Sequence, residues 1–307
     1  IHAFNLVLAS EARARAAEID EAIAVGRDPG PLAGVPIALK DNMCTRGIPT
    51  TCPSKILEGW KPPYDATIVT KLREAGAVVI GKTNTPPHGV RAETDNLVFG
   101  PSRNPWVPAR TPGGSSGGSG AAVAAGLVPL ATGSDGGGSI RIPSSVCGLS
   151  GFKTTHGVVP NGDEEAPTWG HFSTRGPMAR TFADVACALD VAKGFSNRDL
   201  LSLSLAGSFS EAVGNRAVKG LRVAWSPTLG VNDVDPRVVA ACESAIGALE
   251  EAGATVELLE TVFDSDPFAA WGTRAAASTA RHFNSREMPW DKRFDAPGRV
   301  LADLGEY

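Results

Sequence analysis

One stretch constrains this chain more than any other: residues 113–141, GGSSGGSGAAVAAGLVPLATGSDGGGSIR, in which two glycine-serine loops bracket a short apolar insert. Glycines let a backbone turn with positive φ and present several N–H groups at close range, while serines supply hydroxyls able to attack a carbonyl carbon. Glycine-serine tracts are usually flexible linkers, because they bury little surface and cost much entropy to order. Here the insert reads as a helix over 121–125 and a strand over 127–131, so the glycines fall at junctions between packed elements. What such loops need for catalysis is a base.

The base candidate lies upstream. Lys40 ends the apolar run Val35-Pro36-Ile37-Ala38-Leu39, which reads as a strand, and Asp41 and Asn42 follow at once. A lysine at a strand end commonly extends its ammonium to water. Buried without a carboxylate partner it loses its proton more easily, and a neutral amine becomes available to accept one. Asp135 and Arg141 flank the second loop. They read as its fasteners, a carboxylate beside successive N–H groups and an arginine making charge-assisted hydrogen bonds.

Together these residues resemble the amidase signature family of Ser-Ser-Lys amide hydrolases. The family's lysine in a K-D-N context matches Lys40, its G-G-S-S-G-G loop matches residues 113–118, and its D-x-G-G-S-I-R run matches residues 135–141, all in family order. The resemblance implies that Ser139 is the acylated nucleophile, Ser115 the bridging serine preceded by a cis peptide bond, and Lys40 the terminal base. It implies too that the backbone N–H groups of Gly136, Gly137, Gly138 and Ser139 face a developing oxyanion. The implied fold is α/β, a large mixed β-sheet core covered by helices on both faces. The implied reaction cleaves the C–N bond of a small carboxamide through an acyl-serine intermediate, with no cofactor.

Two other motifs compete and fail on context. Residues 76–83, GAVVIGKT, satisfy the phosphate-loop pattern G-x-x-x-x-G-K-T, but their β-branched interior reads as a strand over 77–80, and Pro86-Pro87 stand where a helix should begin. Residues 113–117, GGSSG, satisfy the nucleophile-elbow pattern G-x-S-x-G, yet Pro105, Pro108 and Pro112 precede them where a central strand is required. The histidines, His2, His88, His156, His171 and His282, form no metal-ligand pairing, so no metal is expected. His88 and His171 read as loop-packing side chains rather than pocket lining. Five cysteines, Cys44, Cys52, Cys147, Cys187 and Cys242, without a C-x-x-C pair, point to reduced thiols and a cytoplasmic setting. Cys147 reads as a small packed side chain, not a nucleophile.

A formal net charge of −4 with scattered lysines and arginines leaves no footprint for nucleic acid, and no apolar run approaches the roughly 18 residues of a membrane span. Elements alternate as in an α/β protein. The pattern predicts helices over 11–25, from a cap at Asp65 to 75, from a capping box at Thr181 to 192, and over 236–252, with strands over 221–225 and 254–258. The polar segment 195–219 reads as a surface excursion, which leaves residues 1–307 as a single domain. Family members start earlier and run past the equivalent of Tyr307, so the resemblance implies a domain incomplete at both ends.

Within the family, TNTPPHG at 83–89 and RGPMAR at 175–180 look like stand-alone bacterial amidases, although Pro87-His88 replaces a Glu-Phe pair. Residues 34–64 instead resemble the A subunit of the glutamyl-tRNA amidotransferase, a glutaminase that supplies ammonia to a partner protein. The expectation is a stand-alone amidase acting on a small-molecule amide. The A subunit with its B-type partner is the alternative, and an inactive scaffold or binding protein on the same fold is the alternative of another class. A homo-oligomer stays open.

Overall fold

The computed structural model describes residues 1–162, 172–214 and 218–284. Packing divides the described residues into two compact units, one of Ile1–Val213 with residues 275–284 and one of Gly214–Arg274. The division falls inside 195–219, the segment expected to be a surface excursion within one domain.

The first unit is built on a six-stranded sheet of β1 (Phe4–Val7), β2 (Pro36–Lys40), β3 (Val78–Thr83), β4 (Leu130–Asp135), β5 (Ser150–Gly151) and β6 (Thr174–Ala179), in the order β1-β3-β2-β4-β6-β5. β2 runs parallel to β3 and β4, and the outer pairings are antiparallel, so the sheet is mixed. Its helices are α1 (Ala9–Ala24), α2 (Thr67–Glu74), α3 (Gly117–Ala124), α4 (Arg141–Cys147) and α5 (Phe182–Ala192). The two-residue period of β2 sorts the core into two faces. Ile37 and Leu39 join Ile68, Val69 and Leu72 of α2 and Val185 and Leu189 of α5, each burial contributing about 1.5–3 kcal/mol. Ala38 joins Ala131, its partner on β4, and Ala121, Ala122 and Val123 of α3. Small side chains on that second face let α3 lie close to the sheet.

Several boundaries differ from the sequence pattern for identifiable reasons. α3 begins at Gly117, four residues before the expected start, because the Gly118 amide donates to the Asn84 carbonyl at 3.1 Å and there is no room for a Cβ against that backbone. β4 spans 130–135 instead of 127–131, since the Leu127 amide closes the end of α3 onto the Ala122 carbonyl at 2.9 Å. Asp65 does not cap α2. Its carboxylate accepts from the Arg46 amide at 2.7 Å and from Arg73 Nη1 at 2.8 Å, and Ala66 holds the cap position. β3 continues through Lys82 and Thr83, leaving no loop in which a phosphate could be cradled. Thr181 caps α5 as expected, its Oγ1 accepting from the Asp184 amide at 3.2 Å, but the box does not close, because the Asp184 carboxylate accepts from the Thr181 hydroxyl at 2.7 Å and not from its amide.

α6 (Phe209–Gly214) leads to the second unit, where β7 (Arg222–Trp225), α7 (Pro236–Glu251) and β8 (Thr255–Leu258) form a parallel β-α-β unit, and α8 (Phe268–Asn284) begins in this unit and ends among residues of the first. Asp235 caps α7 by accepting from the Arg237 amide at 2.8 Å, with Pro236 at the first helical position. Among the described residues no helix is long and apolar enough to cross a membrane.

Candidate active site

Because β2 and β4 are parallel neighbours, their C-terminal ends lie side by side, and the residues that finish each strand meet. The Lys40 side chain is wholly buried there. Its Nζ donates to Ser115 Oγ at 2.7 Å and to Ser134 Oγ at 2.9 Å, and Asn42 Nδ2 donates to the same Ser134 hydroxyl at 3.1 Å. Ser115 sits just ahead of α3, buried, and the Gly114–Ser115 peptide bond is cis. Among the described residues no carboxylate forms an ion pair with Lys40. Burial, opposed by the negative charge of Asp135 and aided by the Arg175 cation, lowers the Lys40 pKa to about 7. An amine of that kind is half neutral at physiological pH, with a lone pair able to take a hydroxyl proton.

Asp135 ends β4 and organises the following loop. Its carboxylate accepts from the Gly138 amide at 2.7 Å, the Ile140 amide at 3.2 Å and the Arg141 amide at 3.3 Å, and from the Arg141 guanidinium at 2.9 and 3.0 Å. Burial alone would raise its pKa, but the Arg141 fork and the loop amides outweigh it and hold the carboxyl below its ordinary value. Both residues thus fasten the loop. The expectation that Gly138 offers its N–H to an oxyanion needs correction, since that amide is committed to Asp135. The amides of Gly137 and Ser139 have no acceptor among the described residues.

Ser139 is half-buried in this loop, and its carbonyl accepts the Ser116 amide at 3.3 Å, which ties the two glycine-serine loops together. Among the described residues no hydrogen bond joins the Ser139 hydroxyl to that of Ser115. The structure therefore brings Lys40 and Ser115 into contact and leaves Ser139 in the adjoining loop.

Sequence reasoning missed Ser134, Asn42 and Thr132, whose Oγ1 accepts the Lys40 amide at 3.0 Å. The available signal was the polar half of β4, Thr132 to Asp135, hidden because hydropathy placed the strand too early. His88 is buried in a short 3-10 turn at φ 52°, its amide donating to the Cys52 carbonyl at 3.0 Å, and His171 lies outside the described residues. Burial pushes the Cys147 thiol up to about 11, so it stays protonated. Among the described residues no three His, Cys, Asp or Glu side chains cluster to hold a metal ion.

The family profile described as Amidase matches residues 1–295. The chain belongs to the amidase signature family. The A subunit of the glutamyl-tRNA(Gln) amidotransferase from Carboxydothermus hydrogenoformans is 48% identical over 242 residues, covering 79% of this chain and 50% of that relative. An acylamidase from Rhodococcus erythropolis is 46% identical over 241 residues, covering 78% and 50%. The chain thus spans about half the length of these curated amidase signature relatives. A solved bacterial aryl acylamidase of the family matches with a TM-score of 0.91 at 30% identity, over 98% of this chain and 64% of that one. The solved amidotransferase A subunit from Thermotoga maritima matches with a TM-score of 0.72 at 33% identity, over 90% and 60%. The α/β amidase signature fold, a mixed sheet with helices on both faces, is shared.

Proposed function

We propose that this chain carries the acyl-transfer site of a stand-alone amide hydrolase, with Ser139 as nucleophile, Ser115 as bridge and Lys40 as base. The observation that carries the reading is the 2.7 Å hydrogen bond between a wholly buried lysine, lowered to about pKa 7, and the Ser115 hydroxyl. Acyl transfer requires the Ser139 hydroxyl to reach that of Ser115, in the loop to which the Ser139 carbonyl is tied. The Ser139 oxygen then attacks the amide carbonyl while its proton passes through Ser115 to Lys40. The Gly137 and Ser139 amides receive the developing oxyanion, where a single such donor is typically worth about 2.7–4 kcal/mol. Collapse expels the amine, protonated by the returning proton, and water releases the acid from Ser139. The substrate class is a small amide, the likeness to the acylamidases supports an acyl amide, and the unbridged thiols of Cys147, Cys187 and Cys242 suit a cytoplasmic setting.

A serine-directed fluorophosphonate tests this. The protein labels and Ser139→Ala does not; labelling that survives in Ser139→Ala refutes the assignment of the nucleophile, and a wild-type protein that never labels supports a scaffold. The 48% identity to an amidotransferase A subunit favours a second reading, a glutaminase working with a B-type partner. Copurification of such a partner, or glutaminase activity that depends on it, would select that reading over the first.

A further inference from the structure

Two lysines are wholly buried at the ends of neighbouring strands, and they are partnered in opposite ways. Lys40 meets hydroxyls. Lys82 on β3 donates to the Met43 carbonyl at 2.5 Å, Thr50 Oγ1 at 2.8 Å and Thr45 Oγ1 at 3.1 Å, and stands 3.7 Å from Asp41 Oδ1. Asp41, also buried, adjoins Lys40 in the chain. Its carboxylate accepts from Thr51 Oγ1 at 2.6 Å, Asn5 Nδ2 at 3.2 Å and the Thr51 amide at 3.3 Å, and its carbonyl accepts the Cys52 amide at 3.0 Å. The Cys52 carbonyl accepts the His88 amide at 3.0 Å, and Gly89 follows, so near Ser115 that a Cβ there would lie 3.3 Å from its Oγ. Contacts therefore run from Lys82 through Asp41 to Lys40 in the chain and, by way of the Cys52 and His88 backbone, to Gly89 beside Ser115.

We propose that Lys82 is a positioning residue for the base: its ammonium is the counter-charge of Asp41, which keeps that carboxylate fastened to the 51–52 turn and leaves Lys40 with hydroxyl partners. The inference rests on the proposed role of Lys40. Burial pushes Asp41 up and Lys82 down, and each opposes the shift of the other. The titratable and charged groups around Lys40 are Asp135, Cys52 and Arg175, and those around Lys82 are Asp41, Cys44 and Cys52. Without the Lys82 ammonium, whatever charge the Asp41 carboxylate keeps is uncompensated one residue from Lys40, which favours the protonated amine.

NMR titration of the purified protein carrying lysine labelled with 13C at Cε reads Lys40 without any substrate, and Lys40→Met identifies its resonance. In Lys82→Met the Lys40 midpoint rises by about one pH unit, and kcat/KM on an amide that the wild type cleaves falls about fivefold at pH 7 and recovers toward pH 9. Lys82→Arg keeps the wild-type midpoint. An unmoved midpoint in folded Lys82→Met, or a loss of activity equal at every pH, overturns the proposal. If Lys82→Met does not fold, Asp41→Asn decides, since it leaves the ammonium in excess: a lowered Lys40 midpoint supports the proposal and an unchanged one overturns it. A wild-type protein that shows this coupling yet cleaves no amide refutes the proposed function and, with it, the role of Lys40 as base, while the coupling of Lys82 to Lys40 stands.

Discussion

Holding Lys40 neutral has a thermodynamic signature that needs no knowledge of the substrate. The amine titrates at about 7 in the folded chain, against an ordinary value of 10.5. Between those values the unfolded chain binds more protons than the folded one, so this residue destabilises the fold below pH 7 and ceases to do so above pH 10.5. Working the two titrations through linkage gives a penalty of roughly 4 kcal/mol at pH 7 and roughly 2 kcal/mol at pH 9. Lys40→Met removes the penalty and also forfeits the hydrogen bonds to Ser115 and Ser134, a loss of about 1–3 kcal/mol that does not vary with pH. The variant is therefore expected to be inactive yet more stable than the wild type at pH 7, with its advantage shrinking by about 2 kcal/mol on going to pH 9. Urea denaturation of both proteins at the two pH values measures the difference directly. A stability gap that is the same at pH 7 and pH 9 would show that Lys40 is charged in the fold, and the case for a lysine base would end there.

Two further outcomes bear on the loops. Asp135→Asn keeps one acceptor oxygen but loses the ionic pairing with Arg141 and at least one loop amide, costing about 2–4 kcal/mol at neutral pH by denaturant titration. Because the folded Asp135 pKa is depressed, that gap is full above the ordinary carboxylate value and closes as pH falls through the folded one, and a gap that stays open in acid would count against the charge-assisted reading. Gly118→Ala pits helix propensity, about 1 kcal/mol in favour of alanine, against a Cβ driven into the Asn84 backbone, and the clash should win by about 1–3 kcal/mol. A neutral or stabilising alanine would mean that α3 can lift off the sheet.

What the sequence disclosed and what it hid follow from where the physics is local. The strand ending at Lys40, the Thr181 cap of α5 and the proline-started helix at Pro236 depend on neighbours in the chain, and they stand as expected. The start of α3 and the extent of β4 depend on residues far away, Asn84 for the glycines and β6 for the polar end of the strand, so no local pattern could place them. The candidate site divides in the same way. Lys40, Ser115, Asp135 and Arg141 come together, whereas Ser134 and Asn42 around the amine, and Asp41 with Lys82 behind it, emerge only once three strands are aligned. The commitment of the Gly138 amide to Asp135 was likewise invisible, because motif matching treats consecutive glycines as equivalent and hydrogen bonding does not.

That commitment has a further consequence. By anchoring the middle of the 136–139 loop, the Asp135 carboxylate freezes the remaining main-chain dipoles before any ligand arrives, so the entropy of aligning them is lost once, during folding, and not at each turnover. On the proposed acyl-transfer reading, charge developing on a carbonyl oxygen beside the Gly137 and Ser139 amides would meet an environment already polarised to receive it, whereas mobile water would have to reorient first.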